Sequence, residues 1–566
     1  MQRATRFGLS ALSATLMFLS VPTIDLWPLM WIALVPALHV AVTVETPKRA
    51  FLYGWLTGII GNTAGFFWMI GLLQRFAHMP AWEAAPIMLL LTSYQGLEFA
   101  LWSWAVHRLA RRCPGVGLTW LAPLVFVIFE LLVPQIFPFY LAISQAWVPP
   151  VIQIAELTGP MGVTFILVMA TGAVYEAGRA VRAARGETSP APGLPVLARA
   201  AARRLAVPAA VVGAVLVYGF VRIHQVDARR AAAPHAKVGL VQANVGIQEK
   251  WDPAASAHLL TLHQQQSAAL ARDGAELIVW PESSYPYALP RDFAQDFPAG
   301  DPRRVRGDVQ TPTLFGSVMV TPGARTGKER FPYNTALMMD AAGRITGKFD
   351  KVFLLIFGEY IPFYEYIPWF TEVFPDASNF NRGSEPAVFP FHLRGRDFRL
   401  GPLVCYEDIL PGFTRKTAAL GPNLFVNITN DAWFGKTAEP YQHLALSVFR
   451  SVEHRLDMVR AVNTGVSAHI DAVGRVLVSG PAVDPDAQPP PQPMALMADA
   501  ALLERGGLYV HVGDSFAWLC LLAVVGLAVR GRRGEGLPGP GLPGEGAPVA
   551  PQRPGSRRRG RFPRGS

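Results

Sequence analysis

Charged side chains are scarce in this sequence. Asp, Glu, Lys and Arg make up 16 % of its 566 residues, against roughly 25 % in soluble proteins, while 51 % of residues are apolar. With a mean hydropathy of +0.26, that balance excludes an ordinary soluble enzyme and places much of the chain in a membrane. Zinc-finger spacings, RNA-binding signatures and basic helices are lacking as well. The net charge of +10 is therefore read as topology, with no nucleic-acid partner, because most arginines flank apolar runs or sit in the C-terminal tail. Cysteine is nearly absent, at three residues.

What is present in abundance is long apolar sequence. Eight stretches stand out, near 7–21, 26–44, 51–73, 84–106, 118–133, 151–175, 205–221 and 516–529. Several reach the roughly 20 residues that a helix needs to cross about 30 Å of hydrocarbon. The first is short, with Arg3 and Arg6 ahead of it, but the next follows almost at once and no small-residue cleavage site intervenes. It counts as a span rather than a signal peptide. With a cytoplasmic N-terminus, the inside loops hold Lys48, Arg49, Arg108, Arg111, Arg112, Arg179, Arg182, Arg185, Arg199, Arg203 and Arg204, and the tail adds Arg530, Arg532, Arg533 and 557–559. The outside loops near 74–83 and 134–150 hold only Arg75. The positive-inside rule thus puts the segment from about His224 to Asp514 outside the cytoplasm. The expected organisation is a membrane domain of seven transmembrane helices over 1–230, an extracytoplasmic α/β domain over 235–505, an eighth transmembrane helix over 514–530, and a disordered basic cytoplasmic tail over 531–566. A transporter is disfavoured, because the spans carry few ionisable residues, notably Glu98 and Glu130.

From Ala236 onward short apolar runs alternate with longer helical stretches. Strands are expected over 236–242, 276–280, 313–320, 335–340, 398–405, 424–428 and 466–471, with helices over 255–272 and 439–461. Such alternation indicates an α/β domain, whose chemistry gathers at the carboxyl ends of strands. Of the cysteines, Cys113 falls in a cytoplasmic loop and Cys520 in the last span. Cys405 is alone in the external domain, without a disulfide partner. A lone Cys by itself reads as a small buried hydrophobe. This one ends an expected strand and is followed directly by Tyr406, Glu407 and Asp408, which favours a nucleophile.

A cysteine nucleophile needs a base and a group to hold the oxyanion. Histidine offers no obvious partner: His258 and His263 lie on a helix read as surface-facing, and His392 and His443 have no motif around them. Glu282, in Val-Trp-Pro-Glu-Ser, sits among apolar residues, where desolvation is expected to raise its pKa toward that of a useful base. Lys351 is placed to set a cation beside thiolate and oxyanion, with Lys348 competing for the role.

Glu282 in "WPES", Lys351 eight positions before Glu359 in "FGEYIPF", and Cys405 in "CYEDILP" resemble the Glu-Lys-Cys triad of the nitrilase superfamily. Seven spans before such a domain and one after it resemble its membrane branch, the apolipoprotein N-acyltransferases. "YNTAL" (333–337), "NDAWFG" (430–435) and "RAVNTG" (460–465) look like that branch too. The resemblance implies a multi-span α-helical membrane domain joined to an α-β-β-α nitrilase-like sandwich. It implies Glu282 as general base and later acid, Cys405 as nucleophile and Lys351 as oxyanion stabiliser. Glu359 and Glu407 would orient Lys351 and the incoming amine, and Asn334, Tyr406 and Trp433 would shape the pocket. The family usually has a proline before "FGE", where this chain has Ile356.

The implied reaction is a ping-pong transfer without cofactor or metal. A membrane phospholipid is the acyl donor and a diacylated apolipoprotein the acceptor, in the bacterial inner membrane, with a monomeric enzyme whose catalytic domain lies in the periplasm. Aromatic residues crowd the segment from Tyr360 to Phe374, and Trp369 and Phe370 are expected to form a lid at the lipid headgroups; a packed core loop is the alternative. The rival functions are a membrane-tethered nitrilase-type amidase and a catalytically silent membrane scaffold.

Overall fold

The computed structural model describes residues 2–186, 193–321, 331–356, 358–361 and 379–533. The apolar stretches of the N-terminal part all lie on helices. Ala81–Arg112, Pro160–Gly186 and Leu194–Ala232 are each long and apolar enough to cross a membrane, and Pro47–Gly65 with Met69–Phe76 qualifies as a fourth, bent by 57°. Trp27–Thr43, Leu118–Leu132 and Ser515–Arg530 are apolar but shorter, and the first helix is Arg3–Ser20. The bend after Gly65 turns the rings of Phe66 and Trp68 toward the second part of the chain, where they line a cleft with Cys405 and Phe434. Leu194–Ala232, at 39 residues, is roughly 58 Å long at 1.5 Å per residue, well beyond the hydrocarbon thickness. Its overhanging end carries Arg222 and Arg230, which pair with Glu156 and Asp457.

The second part is built on two sheets. The first contains β1 (His235–Gln242), β2 (Leu277–Val279), β3 (Leu289–Pro290), β4 (Thr313–Val320), β5 (Tyr333–Met339) and β6 (Ile345–Asp350). The second runs through β7 (Phe389–Leu393), β8 (Arg396–Val404), β9 (Leu424–Thr429), β10 (Met458–Val462), β11 (Ala468–Ile470) and β12 (Val476–Ser479), while β13 (Met494–Ala501) returns to the first sheet beside β1. Each sheet has a parallel centre, β1-β2-β4 in one and β8-β9-β10 in the other, flanked by antiparallel edges. Their facing sides share one hydrophobic core, with Val238, Leu240, Leu314 and Ala336 from the first sheet and Leu403, Val426 and Ala461 from the second. Helix Ser256–Arg272 covers the first sheet, and Pro411–Ala419 and Glu439–His454 pack on the second. This is the expected α-β-β-α sandwich.

Strands Leu289–Pro290, Ile345–Asp350, Phe389–Leu393, Val476–Ser479 and Met494–Ala501 are not among those expected from the sequence, and two further departures have a local backbone cause. The strand over 276–280 shrinks to three residues, because Pro281 supplies no N–H and the chain turns through Ser283 at φ 46°. The helix expected over 439–461 stops at His454, since Arg455 adopts φ 55° and breaks the helical ladder. Residues 458–462 form β10 instead.

Candidate active site

Strand ends converge on one edge of the sandwich. Glu282 follows β2, Lys351 follows β6, Cys405 follows β8 and Asn430 follows β9, while Asn334 is the second residue of antiparallel β5. The Glu282 turn lies so close to β4 that a Cβ on Gly316 would run into Ser283 N and Pro281 O.

Glu282 is buried and fully engaged. Its Oε1 accepts from Asn334 Nδ2 at 2.7 Å and from Lys351 Nζ at 3.0 Å, and its Oε2 accepts from Asn430 N at 3.0 Å. Lys351, 1 % exposed, reaches Glu359 Oε2 at 2.7 Å as well. Asn334 Nδ2 also donates to Glu359 Oε1 at 2.8 Å, so amide and ammonium bridge the same two carboxylates. Leu355 N fixes Glu359 Oε2 at 2.9 Å. Burial alone would raise the Glu282 pKa, as expected from the sequence. The structure reverses that sign, because the charges of Lys351 and Lys250 and the Asn334 hydrogen bond hold the carboxyl below its usual range. For Lys351, burial is outweighed by Cys405, Glu282 and Glu359, and its pKa lies well above the usual lysine value.

Cys405 is half-buried and adopts φ 51° at the junction of β8 with the turn Cys405–Ile409. A non-glycine residue in that region is strained, and such strain concentrates at functional sites. Burial, and next the Glu282 charge, push the thiol well above its usual pKa, against the opposing pull of Lys351. At rest the sulfur is a thiol within electrostatic reach of a carboxylate base and a permanent cation. Glu407 does not touch Lys351. Its carboxyl accepts from Val352 N (2.6 Å), Phe353 N (3.1 Å) and Val404 N (2.9 Å), and so ties the chain after Lys351 to the residue before Cys405.

Beyond Cys405 opens a cleft of about 520 Å³. Phe66, Trp68, Phe137 and Phe139 line it from the N-terminal part, and Cys405, Tyr406, Ile409, Phe434 and Leu446 from the catalytic part. Tyr406 reaches across, its hydroxyl donating to Ile136 O at 2.9 Å. Trp68 Nε1 donates to Gln442 Oε1 at 3.2 Å, and Arg75, the one cation of the expected outside loops, donates to Phe434 O at 3.2 Å. The Trp433 ring packs edge-on to Phe76, 4.9 Å between centroids.

Comparisons with known proteins place this geometry. The family model for the apolipoprotein N-acyltransferase N-terminal domain matches residues 13–173, and the carbon-nitrogen hydrolase model matches 237–486. The apolipoprotein N-acyltransferase of Geobacter metallireducens is 32 % identical over 534 residues, covering 92 % of this chain and 94 % of that protein. The chain belongs to the apolipoprotein N-acyltransferase family. Members from Bdellovibrio bacteriovorus (28 % identity, 85 % of this chain and 86 % of that one) and Rhizobium meliloti (30 %, 75 % and 76 %) match it as well. Among solved structures, an amidase from Nesterenkonia sp. AN1 aligns at 20 % identity and TM-score 0.34, over 50 % of this chain and 99 % of the amidase.

Several residues that family resemblance singles out now have positions. Glu282, Lys351, Glu359 and Asn334 form one hydrogen-bonded cluster. Lys348 does not compete: it is exposed and donates to Arg291 O at 2.9 Å. Ile356 pairs with Tyr360 in an isolated bridge. The expected lid residues Trp369 and Phe370 lie outside the described residues, as does the tail after 533. Two histidine readings are corrected. His263 is not surface-facing but 3 % exposed, because its ring packs on Trp280 at 5.0 Å and Nδ1 meets Leu259 O. His443 is buried among Asp408, Asp431 and Glu439.

Sequence reasoning also passed over Lys250. Its Nζ donates to Glu282 O at 2.8 Å, and burial lowers its pKa to about 8. No local motif marks it; only the fold carries it to Glu282, 32 residues on.

Proposed function

We propose that this apolipoprotein N-acyltransferase family member takes a fatty acyl chain from a membrane phospholipid onto Cys405. It then passes the chain to the α-amine of the N-terminal diacylglyceryl cysteine of a lipoprotein. The observation that carries this reading is the placement of Cys405. The charges of the Glu282–Lys351–Glu359 cluster act on its thiol, and the same residue lines an apolar cleft shared with the membrane helices.

In the first half-reaction Glu282 takes the Cys405 proton as sulfur attacks the ester carbonyl, and Lys351 faces the developing oxyanion. A base held below the usual carboxylate pKa is a weak one in isolation. Proton transfer becomes favourable because the thiolate it creates lies beside the Lys351 cation. The protonated Glu282 then supplies the leaving lysophospholipid oxygen. In the second half-reaction the amine attacks the thioester, Glu282 receives its proton, and the expelled Cys405 sulfur takes that proton back, restoring thiol and carboxylate. Glu407 keeps nucleophile and cation in register through the backbone, and Tyr406 fastens the nucleophile turn to the membrane part.

The arginine and lysine distribution supports seven spans before the catalytic domain (1–230, then 235–505) and one after it (514–530). That arrangement places the domain in the periplasm of a bacterial inner membrane. The enzyme acts as a monomer, with Trp369 and Phe370 serving at the headgroup level.

Intact-protein mass spectrometry of the purified chain in phospholipid, beside Cys405→Ser, tests the reading. A fatty-acyl adduct on wild type that hydroxylamine removes, absent from the variant, is the expected result. Wild-type protein that stays folded yet forms no adduct under rapid quench refutes it, and steady hydrolysis of a simple amide instead supports the amidase.

A further inference from the structure

The cleft has a second end that the mechanism above leaves unused. Asp431 lies in the turn after β9, and Glu439 and His443 are one turn apart at the start of helix Glu439–His454. One oxygen of each carboxylate and one His443 ring nitrogen lie within 4.8 Å of one another. Asp431 is fully buried, and among the described residues neither of its oxygens has a hydrogen-bond donor, with His443 Nδ1 standing 3.5 Å from Oδ1. Glu439 Oε2 has no donor either, and Oε1 stands 3.7 Å from the same nitrogen. A buried carboxylate pair left this way is costly unless a cation reaches it.

His443 is oriented rather than loose. Its Nε2 lies 2.7 Å from Asp408 Oδ1, whose other oxygen is taken by Arg460 and Ser447. A carboxylate there can only accept, so Nε2 carries a proton, and burial, which lowers the His443 pKa, is outweighed by Asp431 and Glu439 facing Nδ1, which raise it. Asp408 belongs to the same short turn as Cys405, so this cluster is built on the nucleophile turn itself. Glu439 and His443 line the cleft together with Cys405.

We infer that Asp431, Glu439 and His443 form the docking site for the primary ammonium of the acceptor, which on docking gives one proton to the Glu439 carboxylate and leaves a neutral α-amine to attack the thioester. The inference rests on the acyl-transfer reading and deepens it. An ammonium has three N–H donors and no acceptor, and the two carboxylates, Asp431 and Glu439, outnumber the one positive charge that His443 can carry between them. Acceptors up to 4.8 Å apart are bridged by one nitrogen at about 2.8 Å from each. Burial and the facing Asp431 push the Glu439 carboxyl well above its usual pKa, a repulsion that an arriving cation relieves. The rest of the cleft is largely aromatic and aliphatic, suited to the chains of a diacylated acceptor and unsuited to a free amino acid.

The test uses the full chain in phospholipid, with Asp431→Asn and Glu439→Gln, which keep shape and remove charge. For each, the thioester adduct is measured by intact mass, and the KM for a diacylated lipopeptide with a free α-amine is measured in the transfer step. Expected are a KM raised about tenfold or more and a thioester that hydroxylamine, uncharged at neutral pH, removes at the wild-type rate. An unchanged KM overturns the site, as does a parallel loss of hydroxylamine cleavage, which marks a structural role. Stoichiometric metal on wild type by elemental analysis, lost in both variants, overturns it in favour of a metal centre. Absence of any adduct on wild type instead overturns the acyl-transfer reading, and this site with it.

Discussion

Asn334 is the most informative residue to remove, because it and Lys351 perform the same task from two sides. Its Nδ2 donates to Glu282 Oε1 at 2.7 Å and to Glu359 Oε1 at 2.8 Å. Asn334→Ala leaves Lys351 as the one described side chain bridging the two carboxylates. Each hydrogen bond to a charged group is worth about 1.5–3 kcal/mol, and the one on Glu282 bears directly on the base. Its loss frees the carboxylate to turn away from Cys405, a loss of positioning that outweighs the gain in basicity, and thioester formation slows roughly tenfold to a hundredfold. The pH dependence carries a second signature. Asn334 stabilises the charged form of Glu282, so its loss raises that pKa, and the acidic limb of the acylation rate moves to higher pH. Rapid-quench intact mass spectrometry across pH, on protein whose thermal unfolding matches wild type, measures both. A rate within a factor of about two of wild type, with the limb unmoved, would show that the amide is a spacer and refute the reasoning.

Other perturbations test neighbouring links. Lys250, at about pKa 8, carries its charge below that pH, so the acylation rate falls above pH 8 as the developing Cys405 thiolate loses a nearby cation; in Lys250→Met that alkaline limb disappears and the neutral-pH rate drops toward it. Between about 8 and the ordinary lysine value of 10.5 the folded chain binds fewer protons than the unfolded one. Wild type therefore gains stability relative to Lys250→Met as pH rises through that window, read from the difference in Tm. Arg455 is fully buried and binds Glu156 Oε2 (2.6 Å) and Gln153 Oε1 (2.5 Å); Arg455→Gln should destabilise the chain by about 3 kcal/mol, and an unchanged Tm in detergent would contradict this. Leu446 lines the cleft, so Leu446→Trp should shift the adduct mass toward shorter acyl chains, and an unchanged chain distribution would show that acyl chains lie elsewhere.

The parts of this protein legible in sequence are those that depend on neighbours along the chain. Glu282 and Cys405 each follow a strand of recognisable apolar pattern, and strand ends are where an α/β fold gathers its chemistry; Lys351 follows β6, whose Ile-Thr-Gly-Lys-Phe-Asp carries no such pattern, and is singled out by its motif instead. Groups whose meaning comes from distant partners were not legible. The sign of the Glu282 shift depends on Lys250 and Lys351, 32 and 69 residues away. His443 has no local motif because Asp408 and Asp431 reach it from two other turns. The helix over 439–461 failed for a different reason: apolar periodicity continues past His454, but Arg455 takes a left-handed conformation that periodicity does not encode. Likewise, apolar stretches locate where the chain is dry, yet say nothing of the 57° bend that delivers Phe66 and Trp68 to the cleft.

That bend bears on why hydrolysis does not win. A thioester beside a water-filled cleft would hydrolyse, and the same cluster would then run as a lipase. Here one wall of the cleft is Phe66, Trp68, Phe137 and Phe139, all contributed by the N-terminal part. Apolar walls exclude water because it finds no hydrogen-bond partners there. The wall is held by Tyr406 on Ile136, Trp68 on Gln442 and Arg75 on Phe434, three contacts that each join the two parts of the chain. On this argument the helices are a component of the reaction site and more than an anchor, since a soluble sandwich alone would leave the Cys405 thioester open on that side. Weakening one clasp therefore has a specific consequence: Tyr406→Phe, which deletes only the hydroxyl bond to Ile136, should raise the ratio of released fatty acid to transferred acyl chain without preventing the adduct. An unchanged ratio would mean that water is excluded by the acceptor itself rather than by the wall.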